Sequence, residues 1–242
     1  MTGRALTPTG FTLAVNPLLD LGAFARVWRE QGYVQIPDLF APDVAEALYG
    51  LLEQQTPWHI RLTGPDGTLM RLDQAMLSSL KDQQIQTLLS GSASRASTDF
   101  SHCHLACDLV AGDADTDTPD YGAALAGFFT DGEGADLIRT VTGLSTGAVQ
   151  DLMATCYRPG DFRALDSDTR AQAALFSLDF SRGYRADWGG QWLLHNMAGD
   201  IVTGLVPRYN LLTLVALPRR WSVAAIAPYA ATPRFAVSGT WG

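Results

Sequence analysis

Apolar positions recur along the chain with two different periods, and each period occupies its own part of the sequence. Near the beginning the spacing is three and four residues, which predicts an amphipathic helix that Gly32 ends. Its apolar face consists of Leu21, Phe24, Ala25 and Trp28. An alternating strand follows in YVQIPDLF, and Pro42 predicts the first turn of a second helix. The helical period returns between Gln74 and Gly91, so this part is predicted to be a mainly helical lead-in.

The later part of the chain consists of short alternating runs separated by Gly, Pro, Asp and Arg. The runs are TDFSHCHLACDLV, VQDLMATCYRPGDF, AALFSLDFS, GGQWLLHN, IVTGLVPRYN, LLTLVAL, SVAAIAPYA and RFAVSGTWG, and GAALAGFFTDGEGADLIRTVTG between the first two predicts one or two helices. Many short strands at even spacing predict a sandwich or a barrel. We therefore predict an α+β fold in one domain over residues 1–242. Its helical lead-in extends to about residue 90, and its double-sheet barrel begins at about residue 95.

The acidic balance of the chain narrows the choice of partners. The formal net charge is −8, only 17% of the residues are charged, and Lys and Arg do not cluster beyond Arg219 and Arg220. This argues against nucleic acid or an anionic membrane as the main partner and leaves small molecules or a cationic protein segment. No apolar run approaches the ~18 residues of a spanning helix, and no signal peptide is recognisable. Cys103, Cys107 and Cys156 cannot all pair within the chain, so a cytoplasmic, reducing location is predicted.

Two short motifs resemble metal sites but lack residues that such sites need. Cys103 and Cys107 have no second cysteine pair beside them, so we interpret them as buried thiols rather than zinc ligands. Asp113, Asp115 and Asp117 resemble the beginning of a calcium loop, but the required Gly and the closing Glu are not at the spacing of an EF-hand. A solvated acidic loop is therefore predicted in that segment.

Several motifs of the later part occur in a recognisable order. They are YRPGDF, DSDT, DWGG, PRYN and PRFAVSG. In this order and spacing they resemble the double-stranded β-helix, a jelly-roll or cupin-like barrel, of the 2-oxoglutarate/Fe(II)-dependent dioxygenases. The bacterial prolyl 4-hydroxylase-like branch of that superfamily is the most similar, and the segment NPLLDLGAFARVWREQGYVQIPDLFAPDVAEALYGLLEQQTPW resembles the same branch. The resemblance extends over nearly the whole chain and implies an oxidoreductase fold that uses iron and 2-oxoglutarate.

The resemblance also implies which positions hold these cofactors. In the family, Fe(II) is bound by a His-x-Asp pair on one strand and by a second His from a later strand. Asp168 stands at the carboxylate position, and Arg234 stands where the family binds the distal carboxylate of 2-oxoglutarate. Tyr157 stands where a tyrosine often hydrogen-bonds that carboxylate. Ser238 comes four residues after Arg234, so it is predicted to lie on the same face of the strand and to help bind an anion.

Both histidine positions of this pattern are held by other residues. Asp166 stands at the first position, and Trp221 stands at the second. A carboxylate still offers oxygen to a divalent cation, whereas an indole has no usable lone pair and is large enough to fill the place of a metal and its water. The sequence therefore predicts a degenerate iron site. Without a cation, the like charges of Asp166 and Asp168 in a confined pocket favour protonation of one of them.

None of the four histidines stands at a ligand position of the family. His102 and His104 are two residues apart on a predicted strand, so their imidazoles share one face. Two interpretations of this pair remain open: a relocated metal site that includes an acidic residue of the DSD segment, and an ordinary pair at the surface or at a strand edge. His195 is predicted to be a solvated turn residue, and His59 is predicted to be structural.

Three hypotheses about function remain open. The first is a pseudoenzyme that keeps the barrel and binds a small anion, such as 2-oxoglutarate or a similar dicarboxylate, or a peptide segment of a protein. The second is an active oxidoreductase that hydroxylates a prolyl residue or a small molecule with unusual metal ligation. The third is metal-independent acid–base chemistry by Asp166 and Asp168, because paired carboxylates suit that role. The first two differ in whether stoichiometric iron binds and whether 2-oxoglutarate is consumed.

Overall fold

The computed structural model describes residues 12–110, 118–145, 147–168 and 173–242, and it describes only the backbone of residues 167 and 168. The helices are α1 (Leu21–Gln31), α2 (Pro42–Gln54), α3 (Gln74–Ser79), α4 (Asp82–Arg95), α5 (Asp120–Thr130) and α6 (Glu133–Thr142). The strands are β1 (Tyr33–Pro37), β2 (His59–Thr63), β3 (Leu69–Leu72), β4 (His102–Asp108), β5 (Val149–Tyr157), β6 (Phe162–Asp168), β7 (Ala174–Phe180), β8 (Trp192–His195), β9 (Ile201–Leu205), β10 (Tyr209–Ala216), β11 (Arg219–Val223) and β12 (Arg234–Trp241). The acidic segment with Asp113, Asp115 and Asp117 lies outside the described residues.

The predicted end of the first helix and the predicted beginning of the second are confirmed. The Asp20 carboxylate accepts a hydrogen bond from the Ala23 N–H at 3.0 Å, and Gly32 ends α1 in a left-handed conformation with a φ of 70°. The predicted proline is the first residue of α2. The single helical run predicted from residue 74 is wrong, because the backbone is extended at Leu80 and Lys81 and separates α3 from α4. Within the described ranges, no helix has the length and apolar character needed to cross a membrane.

The strands pair in an antiparallel manner and form one 12-stranded sheet. The strand order is β1-β10-β7-β12-β5-β4-β6-β11-β8-β9, and β2 pairs with both β3 and β4. The sheet curves into a nearly closed barrel with accompanying helices. The predicted α+β fold with a double-stranded β-helix is therefore confirmed.

Two predicted strands of the barrel have different bounds. β10 begins at Tyr209, so the last residues of IVTGLVPRYN belong to the following strand. SVAAIAPYA contributes only its first two residues to a strand, because β11 ends at Val223. The backbone N–H of Ile226 then donates to the carbonyl oxygen of Asp161 at 3.0 Å. The segment after β11 is thus held by the YRPGDF turn rather than by a strand ladder.

Apolar side chains form one large core against the helices and a smaller core inside the barrel. In β7, Phe176, Leu178 and Phe180 belong to the large core, whereas Leu175 belongs to the smaller one. The smaller core also contains Trp192, Leu194, Leu205, Val215 and Val223. Since successive side chains of a strand point to opposite faces, the helices cover one face of the sheet, and the other face lines the barrel. Odd-numbered positions of β7 therefore point towards the interior.

Asn210, to which the sequence assigned no role, connects the barrel to the beginning of α2. Its Oδ1 accepts a hydrogen bond from the Phe40 N–H at 3.0 Å, and its Nδ2 donates to the Phe40 carbonyl oxygen at 2.8 Å. The residue has a φ of 54°, a conformation that Asn adopts more readily than most residues. The PRYN motif is thus explained by a structural role.

Candidate functional site

The barrel contains a cavity of about 390 Å³. Described residues that line it include Tyr157, Arg163, Asp166, Trp192, Trp221 and Ser238. Five of the residues singled out in the sequence therefore lie together, because His104 lines the same cavity as Tyr157, Asp166, Trp221 and Ser238. Arg234 does not line this cavity, and the side chain of Asp168 lies outside the described part of the chain. The role of Asp168, in metal binding or in acid–base chemistry, stays a prediction.

Asp166 is hydrogen-bonded to an arginine of its own strand. Nη2 of Arg163 donates to Oδ2 of Asp166 at 2.6 Å. Residues three apart on a regular strand point to opposite faces. Here Asp166 pairs with Trp221 and Arg163 pairs with Val223, so a step of three residues along β6 matches a step of only two along β11. This β-bulge brings the two side chains to the same face. Burial lowers the pKa of Arg163, and the adjacent Asp166 carboxylate opposes that shift.

Trp221 lies directly across the ladder from Asp166 and packs on the same guanidinium. The Cζ atom of Arg163 is 4.5 Å from the centroid of the Trp221 ring and 4.8 Å from the centroid of the Phe100 ring. The rings of Trp221 and Trp192 have centroids 4.9 Å apart. Contact with two aromatic rings stabilises a guanidinium by cation–π attraction. The side chains at the two histidine positions of the family pattern therefore hold a cationic group of the protein itself.

Tyr157 lies at the boundary between this cavity and Arg234. Its ring stacks on the His104 imidazole with centroids 4.7 Å apart and an interplanar angle of 16°. The Cζ atom of Arg234 is 5.5 Å from the same ring. Burial raises the pKa of Tyr157, so its hydroxyl stays protonated at neutral pH.

Arg234 points into the barrel, but its charge is already paired. Its Nε donates to Oδ1 of Asp179 at 2.7 Å, and its Nη2 donates to Oγ of Ser177 at 3.1 Å. The side chains of Arg234 and Asp179 are each 2% exposed. Burial would lower the pKa of Arg234, but the Asp179 carboxylate outweighs it, and the pKa is raised. The Asp179 carboxylate therefore binds the guanidinium of Arg234, which stands where the family binds 2-oxoglutarate.

The DWGG motif packs the loop before β8 against this ion pair. A Cβ atom on Gly190 would lie 3.0 Å from the Tyr184 hydroxyl and 3.3 Å from Cδ of Arg234, and the φ of Gly190 is 71°. A Cβ atom on Gly189 would lie 2.0 Å from the Ala225 carbonyl oxygen. Both positions therefore require glycine for close approach of the backbone.

A second bulge and an unusual backbone conformation occur beside Ser238. The register between β12 and β5 shifts after Ser238, and Asp151 of β5 has a φ of 54°. Asp151 lines the cavity together with Ser238. Positive φ is uncommon for residues other than glycine and often occurs at binding sites. No sequence pattern distinguishes Asp151, because its conformation depends on the pairing of β5 with β12.

Residues 152–241 match the family model described as the 2OG-Fe(II) oxygenase superfamily. The resemblance to that superfamily is confirmed. A search of curated proteins gave no match.

Solved structures of oxygenases share the fold of this chain. A 2OG-Fe(II) oxygenase family protein from Burkholderia pseudomallei is 12% identical with a TM-score of 0.59, and the match covers 95% of this chain and 93% of that chain. A Pseudomonas putida prolyl 4-hydroxylase is 15% identical with a TM-score of 0.53, and the match covers 91% and 97% of the two chains. A Trichoplax adhaerens prolyl hydroxylase in complex with a hypoxia-inducible factor peptide is 12% identical with a TM-score of 0.55, covering 91% and 87%. At these identities the similarity shows the shared fold.

The described residues of this barrel do not fit Fe(II) in the manner of the superfamily. The family uses two imidazoles and a carboxylate, whereas this cavity presents a carboxylate bound to a guanidinium and an indole. The guanidinium of Arg163 repels a divalent cation placed beside Asp166. Among the side chains that the structure describes, no group of three or more His, Cys, Asp or Glu could hold a metal ion.

Two interpretations of histidines are corrected by the structure. His102 and His104 are only 5% and 4% exposed, so they are not a surface or strand-edge pair. They do not form a relocated metal site with other described residues either. His195 is not a solvated turn residue, because its Nδ1 lies 3.0 Å from the Gly199 carbonyl oxygen and its Nε2 lies 2.9 Å from Oγ of Ser222.

We expect the Asp179→Ala variant to be strongly destabilised, because it leaves the Arg234 guanidinium buried without its carboxylate. Loss of one partner of a buried ion pair lowers the free energy of unfolding by about 3–5 kcal/mol. Urea denaturation checks this value. The double variant Asp179→Ala/Arg234→Met is the control, and we expect it to be less destabilised than the single variant. Equal losses in the two variants would show that the ion pair does not neutralise Arg234.

Proposed function

We propose that this protein is an iron-independent binding protein with the oxygenase fold, a pseudoenzyme whose cavity binds a small anion or a peptide segment. The observation that carries the proposal is the position of Arg163. Its guanidinium contacts both residues that stand at the histidine positions, donating to Asp166 and packing on Trp221. A fixed positive charge there opposes a divalent cation and favours anionic groups.

The composition of the cavity supports an anionic or polar ligand. Arg61 and Arg163 contribute positive charge, Asp151 and Asp166 contribute negative charge, and Tyr157 and Ser238 contribute hydroxyl groups. A cavity of about 390 Å³ has the size of a site for a small molecule or for one or two side chains of a peptide. The Trichoplax adhaerens relative, which was solved with a peptide fragment, gives a precedent for a peptide on this fold.

The contacts of Arg234 argue against binding of 2-oxoglutarate in the family manner. A distal carboxylate that reached this guanidinium would have to displace Asp179 from a pair that is almost fully buried. The proposed anion is therefore expected to contact the cationic residues of the cavity rather than Arg234. A cytoplasmic location stays part of the proposal, and the three buried free cysteines agree with a reducing compartment.

Metal analysis and cosubstrate turnover test the proposal. The protein is purified and assayed separately with Fe(II), Mn(II) and Co(II), and succinate formed from 2-oxoglutarate is measured. We expect no stoichiometric metal and no succinate above the protein-free background. The Pseudomonas putida prolyl 4-hydroxylase, purified and assayed with Fe(II), serves as the positive control. Stoichiometric iron together with succinate formation would instead establish the active oxidoreductase with unusual ligation.

A further inference from the structure

A second cavity of about 470 Å³ lies beside the first and is lined by side chains of β2, β4 and β6. The two cavities share Arg61, His104, Met153 and Arg163. The second cavity also contains Thr63 and His102, which are 4% and 5% exposed. Its walls therefore combine buried polar groups with exposed side chains, among them Leu69 and Asp99.

Strand pairing places these polar groups in two adjacent rows. His102 on β4 pairs with Arg163 on β6, and Arg61 on β2 pairs with His104 on β4. Paired residues of neighbouring strands point to the same face of a sheet. Two arginines and two imidazoles thus face one cavity from three rigid strands.

The hydrogen bonds of His102 leave one of its ring nitrogens without a partner. The Thr63 hydroxyl oxygen accepts from the backbone N–H of His102 at 3.3 Å and lies 3.1 Å from its Nδ1. When this hydroxyl donates to Nδ1, the neutral imidazole carries its proton on Nε2. The Nε2 atom is buried and has no hydrogen-bond partner among the described residues. In that tautomer His102 presents an N–H donor that an anion in the cavity can satisfy.

Arg163, on the neighbouring strand β6, also has a buried nitrogen without a partner among the described residues. Its Nη2 is bound to Asp166, but its buried Nε has no hydrogen-bond partner among the residues that the structure describes. Guanidinium nitrogens are always donors. Because buried donors in native proteins nearly always have acceptors, the missing partners indicate a ligand that presents oxygen atoms.

The charge of the cavity determines the sign of that ligand. Described charged residues on its walls are Arg61, Arg95, Arg163 and Asp99. Positive side chains thus outnumber negative ones on the walls. The imidazoles add no positive charge at neutral pH, because desolvation lowers the pKa of His102 to about 3 and holds that of His104 well below its ordinary value. Such walls disfavour a cation and favour an oxyanion.

We infer that the cavity between β2, β4 and β6 is an oxyanion-binding site, in which Arg61, Arg163 and His102 donate to a carboxylate or phosphate group. The inference rests on the proposed function, because it identifies the ligand class and the anchoring residues of that anion-binding protein. The family resemblance implies that the anion binds at Arg234. The inference instead places the anion beside the two histidines of β4.

Calorimetric titration of metal-free protein tests the site. The probes are inorganic phosphate and succinate, titrated separately in a buffer without either anion. We expect saturable binding of at least one probe, and the stronger probe identifies whether the group is a phosphate or a carboxylate. The Arg61→Gln variant is expected to weaken that binding about tenfold to a hundredfold, as loss of a charge-assisted hydrogen bond does. Arg61→Lys is expected to restore part of the affinity.

Arg71→Gln is the matched control. Arg61 and Arg71 pair directly across β2 and β3, and each lies 3.5 Å from the Asp108 carboxylate. Arg71 does not line either cavity, so its change should alter affinity less than about twofold. Circular dichroism verifies that both variants are folded.

Two results would overturn the inference: no saturable binding of either probe, or equal weakening by Arg61→Gln and Arg71→Gln. Because the titrations contain no metal, they are independent of the succinate assay. If 2-oxoglutarate is turned over with iron and Arg61→Gln still weakens anion binding as expected, the proposed function is refuted but the anion site remains. Absence of turnover with no anion binding would refute the site and leave the iron-independent assignment in place.

Discussion

A triple variant with Asp166→His, Trp221→His and Arg163→Leu will bind Co(II) far more tightly than the double variant that has only the two histidines. The histidines supply the imidazoles that the family pattern requires beside Asp168. In the double variant the Arg163 guanidinium still occupies the same face of β6, next to residue 166. One unit of like charge at ~4 Å costs about 4 kcal/mol at an effective dielectric constant of about 20, so the difference in affinity should exceed a hundredfold.

Visible absorbance of bound Co(II) and calorimetric titration measure this difference. The single variant Arg163→Leu is the control, and it should bind no more Co(II) than the unmodified protein, because it adds no ligand. Equal affinity of the double and triple variants would show that Arg163 does not exclude metal. No binding by any variant would show that the barrel lacks the family arrangement of ligand positions.

The protein will lose a large part of its stability between pH 7 and pH 5. His59, His102 and His104 are buried, and desolvation lowers the pKa of His59 to about 4 and that of His102 to about 3, with His104 also well below its ordinary value of 6.5. As the pH falls below 6.5, the unfolded chain binds protons that the folded chain does not, so the free energy of unfolding decreases. At pH 5 His59 and His102 each contribute a loss of about 2 kcal/mol, and His104 adds to their sum of about 4 kcal/mol. That is a large part of a typical total of about 5–15 kcal/mol.

Urea denaturation at pH 7 and pH 5 checks this loss. The His102→Gln variant should show a loss smaller by about 2 kcal/mol, whatever its stability at pH 7, because one titrating group is removed. If the unmodified protein is equally stable at both pH values, the three imidazoles are not kept neutral in the folded state.

Local patterns were sufficient to predict elements whose ends are determined by neighbouring residues. The left-handed Gly32 and the proline that begins α2 both act within one helical turn. The break between α3 and α4 was missed because the residues at Leu80 and Lys81 have no intrinsic preference against a helix. The extended Lys81 is the residue before α4, where its backbone N–H donates to Oε1 of Gln84 at 2.9 Å.

The polar contacts of the cavity could not be predicted because each depends on strand order and register. Asp179 reaches Arg234 because β7 pairs with β12, and no pattern in either strand indicates that neighbour. His102 and His104 were correctly placed on a strand, but their burial depends on β2 and β6, which lie on either side of β4. The sequence showed that the family histidines are replaced, but it did not show that the guanidinium of Arg163 contacts both replacements.

The extra residue in β6 has a consequence for how related sequences should be compared. An arginine at position 163 reaches the interior because two residues of β11 span three of β6 at that point. In a relative with a regular strand, the same arginine would point to the outer face and leave the ligand positions accessible to a metal. Alignment of ligand positions alone would then group the two proteins together, although only one of them presents a guanidinium to the ligand. The length of the segment between the YRPGDF turn and Asp166 is therefore as informative as the identity of the residues that replaced histidine.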